Sequence, residues 1–153
     1  MRKTLTPLNG LHQLAMLADA AKRRKHPSLP EHARVKSRYT DTTANALTTA
    51  IVDWLELQSG GDGFGTRLQS TGTYREDLKK FVPSRQRRGM PDVFGIVEGV
   101  PYLIEVKIAN DTLSADQRET IGKLRQAGAK CFVAESFQSF FEWWNEQTAL
   151  PFH

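Results

Sequence analysis

Residues 91–108 read PDVFGIVEGVPYLIEVKI, and the reading of this stretch decides the fold. VFGIV and PYLIEVKI are two β-rich runs joined at Glu98-Gly99, which reads as a hairpin. Side chains alternate along a strand, so Tyr102, Ile104, Val106 and Ile108 face one way and Leu103, Glu105 and Lys107 the other. A carboxylate and an ammonium two residues apart therefore project to the same side. Asp92 begins the first strand of the hairpin, which lets its carboxylate lie near Glu105. Two acids projecting together repel each other unless a cation or a shared proton is present.

Helices are expected on both sides of the hairpin. Leu11, Leu14, Leu17, Ala18 and Ala21 recur at helical spacing between Pro7 and Lys25, and the run closes on KRRK, which complements the negative end of a helix dipole. Pro27 and Pro30 break it, and residues 26–40 read as a linker or extended arm. Asp41 is the expected N-cap of a second helix, about 42–58, with Leu47, Ile51, Trp54 and Leu55 on its buried face. SGGDGFG ends that helix in a loop, Phe64 to Thr73 suits a strand, and YREDLKKFVPSRQRRGMP reads as a basic, irregular stretch.

Beyond the hairpin, Ser114 caps a helix of about 115–127 with Ile121 and Leu124 inward, and Gly128 stops it. KCFVA is a short apolar strand. A last helix starts at Ser136, with Phe137, Phe140, Phe141 and Trp144 on one stripe, a pattern that reads as core or as a dimer face. The order predicts a mixed α/β layer fold.

The 153 residues suit one compact domain, and 39% hydrophobic with 25% charged residues is ordinary for a globular protein. No apolar run approaches the ~18–20 residues needed to cross a bilayer, so a membrane partner is not expected. The N-terminus lacks the features of a signal peptide, and a single Cys131 cannot form an internal disulfide; both fit a reducing cytoplasm. Charge is uneven along the chain. Residues 1–38 carry a net +7 and read as a basic helical extension to a domain spanning 39–153, which sums to −3 of the formal +4. A basic arm beside a mildly acidic body suits a nucleic-acid binder with a cation site, and equally a solvated helix end plus linker.

Magnesium resolves the repulsion between Asp92 and Glu105. It prefers hard oxygen ligands and binds through one or two carboxylates plus substrate phosphate oxygens. It acidifies water and offsets charge on a leaving oxygen, while Lys107 steers the attacking water or stabilises charge on the phosphate. The plainer alternative is a same-face ion pair between Glu105 and Lys107, worth about 0–1 kcal/mol on an exposed strand.

Pro91-Asp92, thirteen residues to Glu105, then Lys107, resembles the PD-(D/E)xK nuclease superfamily. RRGMPDVFG, IEVKI, LSADQ and a helix ending in AGA are similar to its virus-type replication-repair nuclease (VRR-NUC) group. TDTTANALTTAIVDWL and RLQSTGTY look like the stand-alone members found in phages and mobile elements. The likeness covers roughly residues 39–146 and is most specific over 88–135.

The resemblance implies a restriction-endonuclease-like core: a central mixed β-sheet flanked by helices. It also implies a Mg²⁺- or Mn²⁺-dependent DNA endonuclease hydrolysing phosphodiester bonds, with branched or four-way-junction DNA as substrate and a homodimer as the working form. It adds Gln117 as an active-site residue, although Ser114-x-x-Gln117 is also a capping box. The chain departs from the pattern where a helix acid is expected: TANALTT has none, and Asn45 is the substitute metal ligand, or else a polar residue at the helix edge. That departure keeps open an alternative, a catalytically weak or inactive DNA-binding module of the same fold.

Arg85, Arg87 and Arg88 immediately precede the Asp ligand, and guanidinium forks match phosphate geometry. Gly89 would let the backbone pass close to a substrate, and Arg67, Lys79 and Lys80 extend the phosphate track. Such contacts position DNA without reading its sequence.

Overall fold

A computed structural model describes residues 9–68 and 72–149. The order of the principal elements is α1 (Gly10–Lys25), α2 (Ala44–Leu57), β1 (Phe64–Arg67), β2 (Thr73–Arg75), β3 (Lys80–Val82), β4 (Val93–Val97), β5 (Val100–Val106), α3 (Ala115–Gln126), β6 (Lys130–Ala134) and α4 (Phe137–Thr148). Four strands form the central sheet in the order β1-β4-β5-β6, while β2 and β3 pair apart as a two-stranded ribbon. β4 pairs antiparallel with both β1 and β5, and β6 runs parallel to β5, so the sheet is mixed. The fold is α/β with helices on both sides of a mixed sheet, consistent with a restriction-endonuclease-like nuclease core.

The hairpin of residues 91–108 is the middle of that sheet. Glu98 and Gly99 both adopt positive φ, 51° and 80°, the conformation a tight two-residue turn needs to match strand twist. Val93 pairs with Ile104, so one further residue along the same register sets Asp92 across from Glu105.

One sheet face meets α1, α2 and α4. Val93, Tyr102, Ile104 and Val106 pack there against Leu14, Leu47, Ile51, Leu55, Phe137, Phe140 and Trp144. Trp54 stands at the centre, its ring edge-to-face with Phe137, Phe141 and Trp144 at centroid distances of 5.9, 5.4 and 6.4 Å. The C-terminal aromatic stripe is thus core rather than a dimer face: Phe137 and Phe140 are fully buried. α1 joins the same core through Leu14, and Gly10 permits close packing, since a Cβ there would fall 2.8 Å from Phe141. The other face is covered by α3 through a smaller cluster of Leu103, Ile121 and Cys131.

Three local expectations change. Asp41 does not cap α2; the Thr43 hydroxyl does, accepting from the Ala46 amide, while the Asp41 carboxylate accepts from the Phe137 amide at the start of α4. Its partner lies 96 residues away, beyond the reach of any local capping rule. The expected strand from Phe64 ends at Arg67, and residues 69–71 of that expectation lie outside the described ones. The stretch taken as irregular instead contains the β2–β3 ribbon. Among the described residues no helix is long and apolar enough to cross a membrane.

Candidate active site

The site lies where β4 begins and β5 ends, on the sheet face that α3 covers. Glu105 is on β5 and only 2% exposed. Its Oε1 accepts from the Gln117 side-chain amide at 2.9 Å and lies 3.4 Å from the Lys107 ammonium. Its Oε2 is buried with no hydrogen-bond partner. Burial, then the neighbouring Asp92 charge, push the Glu105 carboxyl up from 4.5 to about 7, with Lys107 pulling the other way. A buried carboxylate with one oxygen held and the other unsatisfied suits a bound cation or a proton.

Asp92 is fixed by the strand it faces, because its Oδ2 accepts from the Val106 amide at 2.8 Å. Lys107 follows the last residue of β5, held by its own amide to the Ala134 carbonyl, and its side chain is 15% exposed. Gln117 makes both a cap contact and a contact with Glu105. Its side-chain oxygen accepts from the Ser114 amide and its backbone amide donates to the Ser114 hydroxyl, a complete capping box, while its NH₂ reaches Glu105. The amide's two ends divide the work.

Asp92, Glu105, Lys107 and Gln117 therefore come together. Asn45 does not join them directly. It is exposed in the first turn of α2, where its backbone carbonyl accepts from Arg67 at 3.1 Å. Arg67 also donates to the Thr49 hydroxyl, on the sheet face opposite Glu105. The backbone beyond β1 does touch the site, since the Leu68 amide donates to the Asp92 carbonyl. Among the described residues no group of three or more His, Cys, Asp or Glu is placed to hold a metal ion, and the acidic groups that the hairpin register brings together are two, Asp92 and Glu105. That number fits magnesium, which keeps several waters and binds through one or two carboxylates.

Arg87 and Arg88 line a cleft of about 450 Å³, together with Ser114, Asp116 and Gln117 at the start of α3. Arg85 is exposed on the same loop, and Lys79 and Lys80 are exposed on the ribbon. Gly89 has φ of +74°, and a Cβ there would fall 2.3 Å from the Asp116 carbonyl oxygen. The glycine is thus required by the close approach of α3, in place of the substrate approach expected from the sequence. Thr120 closes the same clamp, its hydroxyl donating to the Arg88 carbonyl at 2.8 Å. The clamp makes the arginine loop and the helix bearing Gln117 one unit. Thr120 and Phe81 carry no motif, and Tyr74 only closes the RLQSTGTY stretch, so none of the three received a role from sequence.

No curated protein matches the chain. The VRR-NUC domain family does, over residues 43–138, which span Asp92, Glu105, Lys107 and Gln117. The matched segment runs from the N-cap of α2 to the first turn of α4 and covers every strand of the central sheet with α2 and α3, while α1 precedes it and most of α4 follows it. A nuclease-type, DNA-acting function follows from it, and the chain belongs to the VRR-NUC domain family.

Proposed function

We propose that the protein is a Mg²⁺- or Mn²⁺-dependent endodeoxyribonuclease of the stand-alone type, acting on branched or four-way-junction DNA as a homodimer. The observation that carries this reading is the unpartnered buried Oε2 of Glu105, opposite Asp92 and beside Lys107. Asp92 and Glu105 would hold the cation. Asn45, at the start of α2 that Arg67 ties to the strand end beside Asp92, would reach the cation with its amide oxygen only through a water. The cation, when bound, supplies Lewis acidity that offsets charge on the scissile phosphate and leaving oxygen.

The chain's own groups do the rest. The Val106 amide holds one Asp92 oxygen, and Gln117 holds Oε1 of Glu105, so each carboxylate keeps its second oxygen for a ligand. Lys107 keeps a positive charge beside the reacting phosphate, where it orients the attacking water and stabilises developing charge. Arg85, Arg87 and Arg88, with Lys79 and Lys80, position the DNA backbone, and Arg67 steadies the α2 end. Two copies related by a two-fold axis suit symmetric cutting of two strands. Because the α4 aromatics are internal, a dimer uses another surface.

The test is cleavage of labelled duplex, flap and four-way-junction DNA with and without Mg²⁺ or Mn²⁺, for the wild type, Asp92→Ala and Glu105→Ala. Metal-dependent cutting is expected from the wild type, strongest on branched DNA, and a fall of about 10³-fold in either variant. Cutting that persists in both variants would sink the residue assignment. A second reading, a DNA-binding module of the same fold without efficient cleavage, is favoured by one observation: α2 brings no acid to the site. It predicts salt-sensitive DNA binding with no metal-dependent product.

A further inference from the structure

The β2–β3 ribbon shows a feature that folding does not explain. Each of its strands has three residues, and it pairs with no strand of the central sheet. A ribbon this short gains little from its own pairing. Tyr74 and Phe81 are cross-strand partners in its register, so their rings lie on one face, 52% and 63% exposed. Single exposed apolar residues are ordinary, whereas an aromatic pair aligned on a projecting ribbon is a surface built for contact.

The position of that pair suggests what it contacts. A Cβ on Gly72 would lie 2.8 Å from the Phe81 ring, so the ring rests over Gly72. Gly72 and Phe81 line the same cleft as Arg87, Arg88 and Gln117. The cleft therefore brings together the exposed Phe81 ring, two arginines and Gln117, whose side-chain amide holds Glu105. Its volume, about 450 Å³, is within the range of pockets that enclose small ligands. An aromatic face next to arginine forks fits a nucleobase and its phosphate.

We infer that the aromatic face of the ribbon and the cleft beneath it bind unpaired nucleotides adjoining the scissile phosphate, with a base stacked on Phe81 and the strand's phosphates on Arg87 and Arg88. The inference rests on the proposal that the chain acts on DNA, and it narrows the substrate class. A paired base is already stacked on both faces, and freeing it costs energy; a base in a flap, a gap or an opened junction is free to stack. Stacking tolerates any sequence because every base has a π-face. The cleft therefore selects unpaired structure near the cut and not a base sequence.

Fluorescence anisotropy in EDTA, where nothing is cut, tests this on two labelled DNAs: a duplex with a three-nucleotide single-stranded flap and the matched continuous duplex. Wild type is expected to bind the flap at least about tenfold more tightly. The flap-to-duplex affinity ratio should fall about tenfold in Phe81→Ala and in Phe81→Leu, which keeps apolar bulk without an aromatic face, and should survive in Phe81→Trp. 2-Aminopurine in the flap should be quenched by wild type and by Phe81→Trp but not by Phe81→Leu. Ratios and quenching that do not change among these variants overturn the inference while leaving DNA binding intact. Wild type that binds neither DNA overturns the DNA reading itself, and this inference with it.

Discussion

The two faces of the central sheet are built on opposite principles. The face toward α1, α2 and α4 is continuous and aromatic, with Trp54 ringed by Phe137, Phe141 and Trp144. The face toward α3 has a small apolar cluster, and beside it a buried carboxylate, a near-buried ammonium and a basic loop. Glu105 and Ile104 are neighbours on one strand, and alternation alone sends one to each environment. The first face supplies enough stability for the second to carry groups that are poorly satisfied without a ligand. Such a division lets a small domain hold a strained site without coming apart.

The largest effect that tests this division belongs to the first face. Phe137→Ala removes a fully buried ring that contacts both Trp54 and Phe140, and should cost about 3–5 kcal/mol in urea unfolding. Residual activity well below the melting temperature should be near that of wild type, since no site residue is touched. A variant that stays stable yet loses activity in the cold would show that the two faces are not separable.

Glu105→Gln probes the second face from the other side. Glu105 titrates at about 7 when folded and near 4.5 when unfolded. Between those values the folded protein keeps a proton that the unfolded chain has released, so this group's contribution to stability falls as pH rises through that window and is level above it. The neutral amide escapes that cost, so the metal-free variant should be more stable than wild type by about 1–3 kcal/mol at pH 8, and by little near pH 4.5. Added Mg²⁺ or Mn²⁺ should raise the melting temperature of wild type and not that of the variant. A pH-independent difference between the two proteins would mean that the carboxylate is not the strained group.

The two faces also differed in how far the sequence revealed them. The aromatic stripe of α4 and the apolar faces of α2 and β5 follow from spacing, because burial imposes a period that residues display directly. The triad was legible for a related reason: hairpin register converts the thirteen-residue spacing of Asp92 and Glu105 into adjacency. What escaped depends on partners far along the chain. Asp41 satisfies every local rule for capping α2, yet it is taken up by the Phe137 amide. Gly89 looked like an allowance for substrate and is an allowance for α3. The ribbon strands are three residues long, too short for alternation to stand out, and Glu76-Asp77 between them reads as solvated charge.

Gln117 joins the comparison at its finest point, because one side chain serves helix stability and the site together. Its two functions separate by substitution. Gln117→Ala loses both the cap and the Glu105 contact, and should cost about 1 kcal/mol of stability, similar to Ser114→Ala. Gln117→Glu keeps a capping-box residue at the same position, but sets a second carboxylate against Glu105 in place of a donor. That loss of a hydrogen bond and gain of like charge should push the Glu105 titration above about 7. The pH at which metal-dependent stabilisation or cleavage reaches half its maximum should rise accordingly, while Ser114→Ala leaves it in place. If Gln117→Glu and Ser114→Ala move the pH midpoint alike, then Gln117 matters only as a cap, and its contact with Glu105 contributes nothing to the chemistry of the site.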